Sequence, residues 1–542
     1  MSLYPARRRM PTLPTFGAPW RARLRKIAVG RHLVIAAALM GGVLVAPTQA
    51  VAEAPVSSGP GCVEPQQATF AGGATAPWQA CSSPTGVIGI EGGNSINSRG
   101  TIFMGVSVKD AEGRGGIVRS RDGGESWQRV ALPPPLQDLI GSLRVDPATD
   151  RLFYVSIGPS LTQLVPNQIG YSDDDGDTWH ITQVGGHPSE GDPIFTIGDV
   201  HQMYMGSPPA GVQTSGYPNV VYYCALTPIP SFGPFTKCWR SLDGGDSYQP
   251  TSPVGNFSQL DCDWAAKVPG VPGGDTQFLP DGSVTAQLPF VTPMRGVVAS
   301  DGTVYQPMNA CGAYMVGVSK DAGATFTWSR VPDARIDMNT GVFADQQANF
   351  PGCADTIAFA GCPEVFKGYG SDNLTMDDNG TLYFIHSNPQ LLLSVSKDGG
   401  QSWTQPETLS APGISTTVFT SVVARGDGEL GLAYLGNSEG SPAWHGYMAV
   451  VKNADEPSRT IATASISNPD NPLNPYRCCG SSSGQNLDGS STFYNLHEYG
   501  GVSFAPDGSL WATFFRDTTR DPNNKTFALY EITGGHMYPA AG

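Results

Sequence analysis

Five short stretches of this chain follow one pattern, S-x-D-x-G-x-x-(W/Y/F). The first holds Ser120, Asp122, Gly124 and Trp127, and the second Ser172, Asp174, Gly176 and Trp179. The third holds Ser241, Asp243, Gly245 and Tyr248, and the fourth Ser319, Asp321, Gly323 and Phe326. The fifth holds Ser396, Asp398, Gly400 and Trp403. A repeat of this kind constrains a fold more than any single motif. Ser and Asp side chains are short enough to hydrogen-bond nearby backbone amides and hold a turn. Gly takes a conformation that a Cβ disfavours, and the aromatic ring gives the turn a large apolar group to bury.

A second element recurs seven times: a small polar turn followed by an alternating apolar strand. Its copies are 97–104, 146–154, 216–222, 300–305, 378–383, 426–432 and 506–511. These are hairpin signals backed by β-branched and aromatic residues. In the first five units the S-x-D-x-G copy follows the turn and strand. In the last two, 444–450 and 526–532 stand where a third strand belongs. Successive copies lie 52, 69, 78 and 77 residues apart, which implies insertions at roughly 185–215, 251–290, 332–368 and 455–494. No stretch shows helical periodicity. The expected fold is all-β: a single propeller of four-stranded antiparallel blades around a central channel. Seven turn-strand units argue for seven blades, with six as the alternative.

The five-copy pattern is that of the Asp-box, or BNR repeat, and over roughly 87–535 the chain resembles the sialidase-like β-propellers. The resemblance implies the scaffold. It does not extend to the catalytic set, in which sialidases hold a substrate carboxylate with three arginines, the first in an Arg-Ile-Pro motif. This chain has no Arg-Ile-Pro and carries Glu91-Gly-Gly-Asn94 in the matching region. Arg144, Arg295, Arg477 and Arg516 are substitutes without a supporting motif, and Tyr494 to Tyr499 with Glu498 is the late Tyr/Glu cluster.

The first 52 residues carry eight Lys/Arg and no acid, then an apolar run over 33–46 and small residues near Ala50 and Ala52. This is the pattern of a secretory signal peptide, and the run is short of the ~20 residues that span a bilayer. The alternative is an uncleaved N-terminal anchor. The expected organisation is a signal peptide over 1–52, a Pro/Gly/Ala-rich arm over 53–86, the propeller over 87–535 and a tail over 536–542. Without the leader, 24 basic residues face 47 acidic ones, a net charge of −23. Such a surface repels nucleic acid and anionic membranes. It also repels anionic sugars unless a local basic pocket overrides the field.

All ten cysteines follow the leader, an even count that fits disulfides in an exported protein. Cys62/Cys81, Cys224/Cys238 and Cys353/Cys362 are the simplest pairs, while connectivity stays open and Cys478-Cys479 has no assigned partner. No C-x-x-C spacing suggests zinc. The Asp173-Asp174-Asp175-Gly176-Asp177 run looks like a calcium loop but lacks the distal bidentate Glu. Its reading is structural, on the rim, with a bound Ca2+ unsupported by a specific motif and no cofactor expected.

Ligands of such propellers bind where inner strands begin. Just before each turn-strand unit stand Glu91 and Asn94, Arg144, Asp199 and His201, Asp261 and Asp263, Asp372, and His497, Glu498 and Tyr499. Asp199/His201 and Asp261/Asp263 are i, i+2 pairs that share one face of a strand. Carboxylates crowded at one mouth raise one another's pKa, which suits acid chemistry or a cation. The bland alternative is ordinary strand-entry acids bonding to nearby amides. The preferred reading is an exported, monomeric, non-catalytic module that holds a glycan or protein ligand at the channel mouth. The alternative is a sialidase-like glycoside hydrolase with Asp261, Asp263, Asp199 and Glu498 as catalytic carboxylates. Glu91, Asn94, His201, Asp372, His497, Tyr499 and Arg144 are then ligand-binding.

Overall fold

The computed structural model describes residues 57–58, 61–89, 92–106, 116–137, 141–156, 167–184, 201–229, 233–251, 292–310, 313–335, 372–387, 390–438, 441, 443–474, 500–517 and 530–540. The chain divides into two compact units, 1–49 and 50–542. Every described residue belongs to the second, so the basic leader and its apolar run lie outside the described residues.

The described residues are strands and turns, with one short 3-10 turn at Pro134–Leu136. β1 (Ser57–Ser58), β2 (Val63–Phe70) and β3 (Thr75–Ile88) come first. β4 (Asn94–Ile96), β5 (Ile102–Val106), β6 (Gly116–Ser120) and β7 (Ser126–Val130) form the first sheet, with β1 on its outer edge. β8 (Gly141–Val145), β9 (Leu152–Ser156), β10 (Asn167–Ser172) and β11 (His180–Val184) form the second. The third holds β12 (Gln202–Gly206), β13 (Val220–Ile229), β14 (Gly233–Ser241) and β15 (Gln249–Pro250). In the fourth, β16 (Thr292–Pro293) and β17 (Val297–Val298) both pair with β18 (Val304–Ala310), followed by β19 (Ala313–Ser319) and β20 (Thr327–Arg335). The fifth holds β21 (Leu374–Met376), β22 (Leu382–Ser387), β23 (Leu391–Ser396) and β24 (Glu407–Thr408).

The remaining strands are β25 (Ile414–Arg425), β26 (Glu429–Ser438), β27 (His445–Lys452), β28 (Thr460–Ser465), β29 (Val502–Phe504), β30 (Leu510–Asp517) and β31 (Tyr530–Pro539). With β2 and β3 they make one nine-stranded sheet, in the order β25-β26-β27-β28-β2-β3-β31-β30-β29. The molecule is thus an all-β propeller with five blades of the four-strand type and one nine-stranded sheet. Neither seven nor six separate four-stranded blades is what the hydrogen bonding gives. The physical reason is local: Thr69 pairs with Thr463 and Phe70 with Ala462, so β2 bonds to the outer edge of β28. An exposed strand edge offers unpaired N–H and C=O groups, and here another strand of the same chain takes them. The stretch expected as an N-terminal arm is built into this sheet, because β3 pairs with β31 from Trp78 opposite Pro539 to Ile88 opposite Glu531. Cys62 and Cys81 are bridged across β2 and β3, and Cys224 and Cys238 across β13 and β14. The other six cysteines lie outside the described residues.

Each middle strand is apolar on both faces. Phe153 and Val155 pack towards the third sheet, whereas Leu152 and Tyr154 pack towards the first. This is the period-2 alternation of a strand buried on both sides. Apolar clusters of this kind lie between successive sheets all the way round, and Trp127, Trp511 and Ile532 close the ring between the first sheet and the β29–β31 end of the nine-stranded one. At the centre the inner strands β4, β8, β12, β17, β21, β25 and β29 each touch the next, and β29 returns to β4. Among the described residues no helix is long and apolar enough to cross a membrane.

Candidate functional site

The five repeated turns all join the third strand of a sheet to its fourth, away from the inner strands. Their hydrogen bonding is the same each time. The Ser hydroxyl donates to Asp Oδ1 at 2.7–2.8 Å and accepts from the Gly amide at 2.7–2.9 Å. The Asp in turn accepts from the backbone and hydroxyl of the Ser or Thr four residues on, as at Thr178 with Asp174. At Asp398 the hydroxyl and amide of Ser402 hold the carboxyl down to about 2. The glycine is required: Gly124 has φ +84°, and a Cβ there would lie 2.5 Å from the Trp511 ring. The extra acids of the second turn are spent on arginines. Asp173 binds Arg151 at 2.7 Å, Asp175 binds Arg99 at 2.5 Å, and Asp177 binds Arg119 at 2.7 Å. The run is a set of ties between neighbouring strands. Among the described residues no group of three or more His, Cys, Asp or Glu could hold a metal ion.

At the ring centre the chemistry is different. Asp372, fully buried just before β21, accepts from Arg144 Nη2 at 2.6 Å. Its other oxygen lies 2.9 Å from Arg295 Nη1, an ion-pair contact without hydrogen-bond alignment. Arg144 comes from β8 and Arg295 from the residues before β17, so residues of three sheets meet on one carboxylate. The clamp extends through Arg144 Nη1 to the carbonyl of Asn94 at 3.0 Å and through Arg295 Nη2 to that of Val422 at 3.3 Å. Asp372 itself is held by its backbone, whose carbonyl accepts from Val422 N at 2.9 Å. Burial and the like charge of Arg144 pull Arg295 down to about 10, while Asp372 opposes them. Among the described residues, two guanidiniums on one carboxylate leave this cluster with a net positive charge. Beside it the amide of Asn94 is fully buried, and neither of its polar atoms has a hydrogen-bond partner among the described residues.

Of the residues singled out in the sequence, Asn94, Arg144 and Asp372 are therefore brought together. His201 is buried at the start of β12. Glu91, Asp199, Asp261, Asp263, His497, Glu498 and Tyr499 lie outside the described residues. The inner strand of the fourth sheet is Val297–Val298, and the turn at Ala299–Thr303 follows it directly. Arg295 is thus the inner-strand residue there, and its role as second partner of Asp372 was missed. The available signal was its place two residues before a Val-Val pair and a Ser-Asp-Gly turn. Arg516, another candidate arginine, lies in β30 opposite Glu531, and Arg477 lies outside the described residues.

No family model matches the chain. A xyloglucanase from Paenibacillus sp is 25% identical over 307 residues, which cover 54% of this chain and 23% of that protein. The chain therefore spans about a quarter of that relative's length. Among solved structures, the intramolecular trans-sialidase from Ruminococcus gnavus is similar at 12% identity and TM-score 0.36, covering 83% of this chain and 94% of that one. The NanB sialidase from Streptococcus pneumoniae is similar at 10% identity and TM-score 0.38, covering 80% and 83%. The α-L-arabinanase from Penicillium chrysogenum is similar at 12% identity and TM-score 0.36, covering 74% and 99%.

Proposed function

We propose that this chain is an exported glycan-binding propeller whose channel mouth holds a carbohydrate without cleaving it. The observation that carries the reading is the clamp on Asp372 by Arg144 and Arg295. Glycoside hydrolysis needs two carboxyl groups facing the scissile bond, one of them with a proton to give. Asp372 has both oxygens against guanidiniums instead. Arg144, Arg295, Asn94 and His201 are the polar groups offered to a ligand, with Glu91, His497 and Tyr499 completing the mouth. The basic leader and two disulfides fit an oxidising, extracytoplasmic compartment. No metal or other cofactor enters the reading, and the protein acts as a monomer.

The second reading is a glycoside hydrolase using Asp261, Asp263, Asp199 and Glu498, and the likeness to a xyloglucanase favours it. Fluorogenic glycosides, sialosides and xyloglucan oligosaccharides separate the two. Binding without turnover is the expected result. Turnover that disappears in the Asp261→Ala/Asp263→Ala double variant overturns it.

A further inference from the structure

The strand pairing that creates the nine-stranded sheet also builds a pocket at its middle, four strands from the inner strand at either end. Thr69 stands opposite Thr463, and two residues along the same strand Ser465 stands opposite Tyr447. Side chains two apart on a strand, and those directly opposite on its neighbour, share a face. Thr69, Thr463, Ser465 and Tyr447 therefore form one polar shelf with an aromatic at its end. They line a pocket of about 550 Å³ whose walls include Phe70 and Pro412.

Three properties of this pocket point to one ligand chemistry. None of its lining residues carries a charge, although the chain as a whole is strongly acidic. Tyr447 is stacked on the fully buried Tyr434, with ring centroids 5.5 Å apart and planes 17° from parallel, which fixes the ring in place. Among the described residues no hydrogen bond engages the Tyr447 hydroxyl. A fixed aromatic with a polar tip, flanked by hydroxyl groups and without counter-charge, suits a ligand that has apolar C–H faces and many hydroxyls. We propose that this pocket binds a neutral sugar unit of an oligo- or polysaccharide, at a rim site separate from the channel mouth. An anionic sugar finds no partner for its charge here. A polymer long enough to reach both sites gains avidity from the pair.

The rim site does not depend on the mouth binding anything. Calorimetric titration of the full-length protein with cellohexaose, xylohexaose, mannohexaose and 3′-sialyllactose tests it. At least one neutral hexasaccharide is expected to bind, with affinity falling tenfold or more in Tyr447→Ala and less in Tyr447→Phe. Ala71 is exposed in the hairpin turn beside the pocket. Ala71→Glu introduces a charge at the rim without touching the core, and it is expected to weaken the same binding tenfold. If no neutral hexasaccharide binds, or if binding survives both Ala71→Glu and Tyr447→Ala, the rim site is wrong. In the second case the mouth reading survives, as it does if 3′-sialyllactose alone binds.

Discussion

Arg144 Nη2 lies 2.6 Å from Asp372 Oδ1, and the two residues are 228 positions apart in the chain. They meet because the second and fifth sheets each bring an inner strand to the same centre. Removing one partner of a buried ion pair leaves an uncompensated charge and costs about 3–5 kcal/mol. Here Asp372→Asn leaves two buried arginines, 10% and 13% exposed, against each other. The expected outcome is a loss of about that size, read as a lower midpoint in urea denaturation. An unchanged midpoint means that water screens the clamp.

Much of the fold is legible in the sequence. The five S-x-D-x-G copies mark the turns between third and fourth strands, and the seven polar turns mark the junctions between first and second, as at Asn97–Thr101 and Asp377–Thr381. The S-x-D-x-G turns, and polar turns such as those at Asn97 and Asp377, are set by side chains that bond within four residues of themselves. What was not legible is long-range. Nothing near Thr69 announces Thr463 as its partner, and the alternation of β2 reads equally well as a stray hairpin. Arg295 likewise shows no local sign of Asp372. The inner strand of the fourth sheet is only Val297–Val298, too short for its alternation to show in the sequence.

Closure of the ring depends on β3 pairing with β31. Deleting residues 53–88 removes β2 and β3, exposes the edge of β31 and strips Val87 and Ala80 from the core. The truncated protein is expected to be insoluble or to lose cooperative melting by circular dichroism. A truncated protein that melts cooperatively near the wild-type temperature contradicts this.

The repeated turns should behave as stability elements. Asp398 accepts from Ser396, Gln401 and Ser402. Asp398→Ala removes the acceptor from those donors, which water can reach, and is expected to cost about 0.5–1.5 kcal/mol. Asp398→Asn keeps one acceptor oxygen and is expected to cost less. Equilibrium urea unfolding of the two variants decides it.

His386 is fully buried between Tyr314 and Phe384, and neither ring nitrogen has a hydrogen-bond partner among the described residues. Burial pulls it down to about 4, well under the ordinary value of 6.5. The sign follows from linkage: between those values the unfolded chain binds a proton that the folded one refuses. Its neutral form supports the fold fully above pH 6.5, and that support falls away as pH drops towards 4. At 1.36 kcal/mol per unit the loss is roughly 3 kcal/mol. Melting temperature is expected to fall over this range, and His386→Leu is expected to flatten the slope.

Binding without cleavage is tested most directly by one proton NMR experiment. The mature protein is mixed with neutral and sialylated oligosaccharides and followed overnight, so that ligand broadening and new anomeric signals are read from the same tube. The predicted result is broadening of at least one ligand with no new anomeric signal. New reducing-end signals that vanish in the Asp261→Ala/Asp263→Ala variant would contradict it and make the protein a glycoside hydrolase.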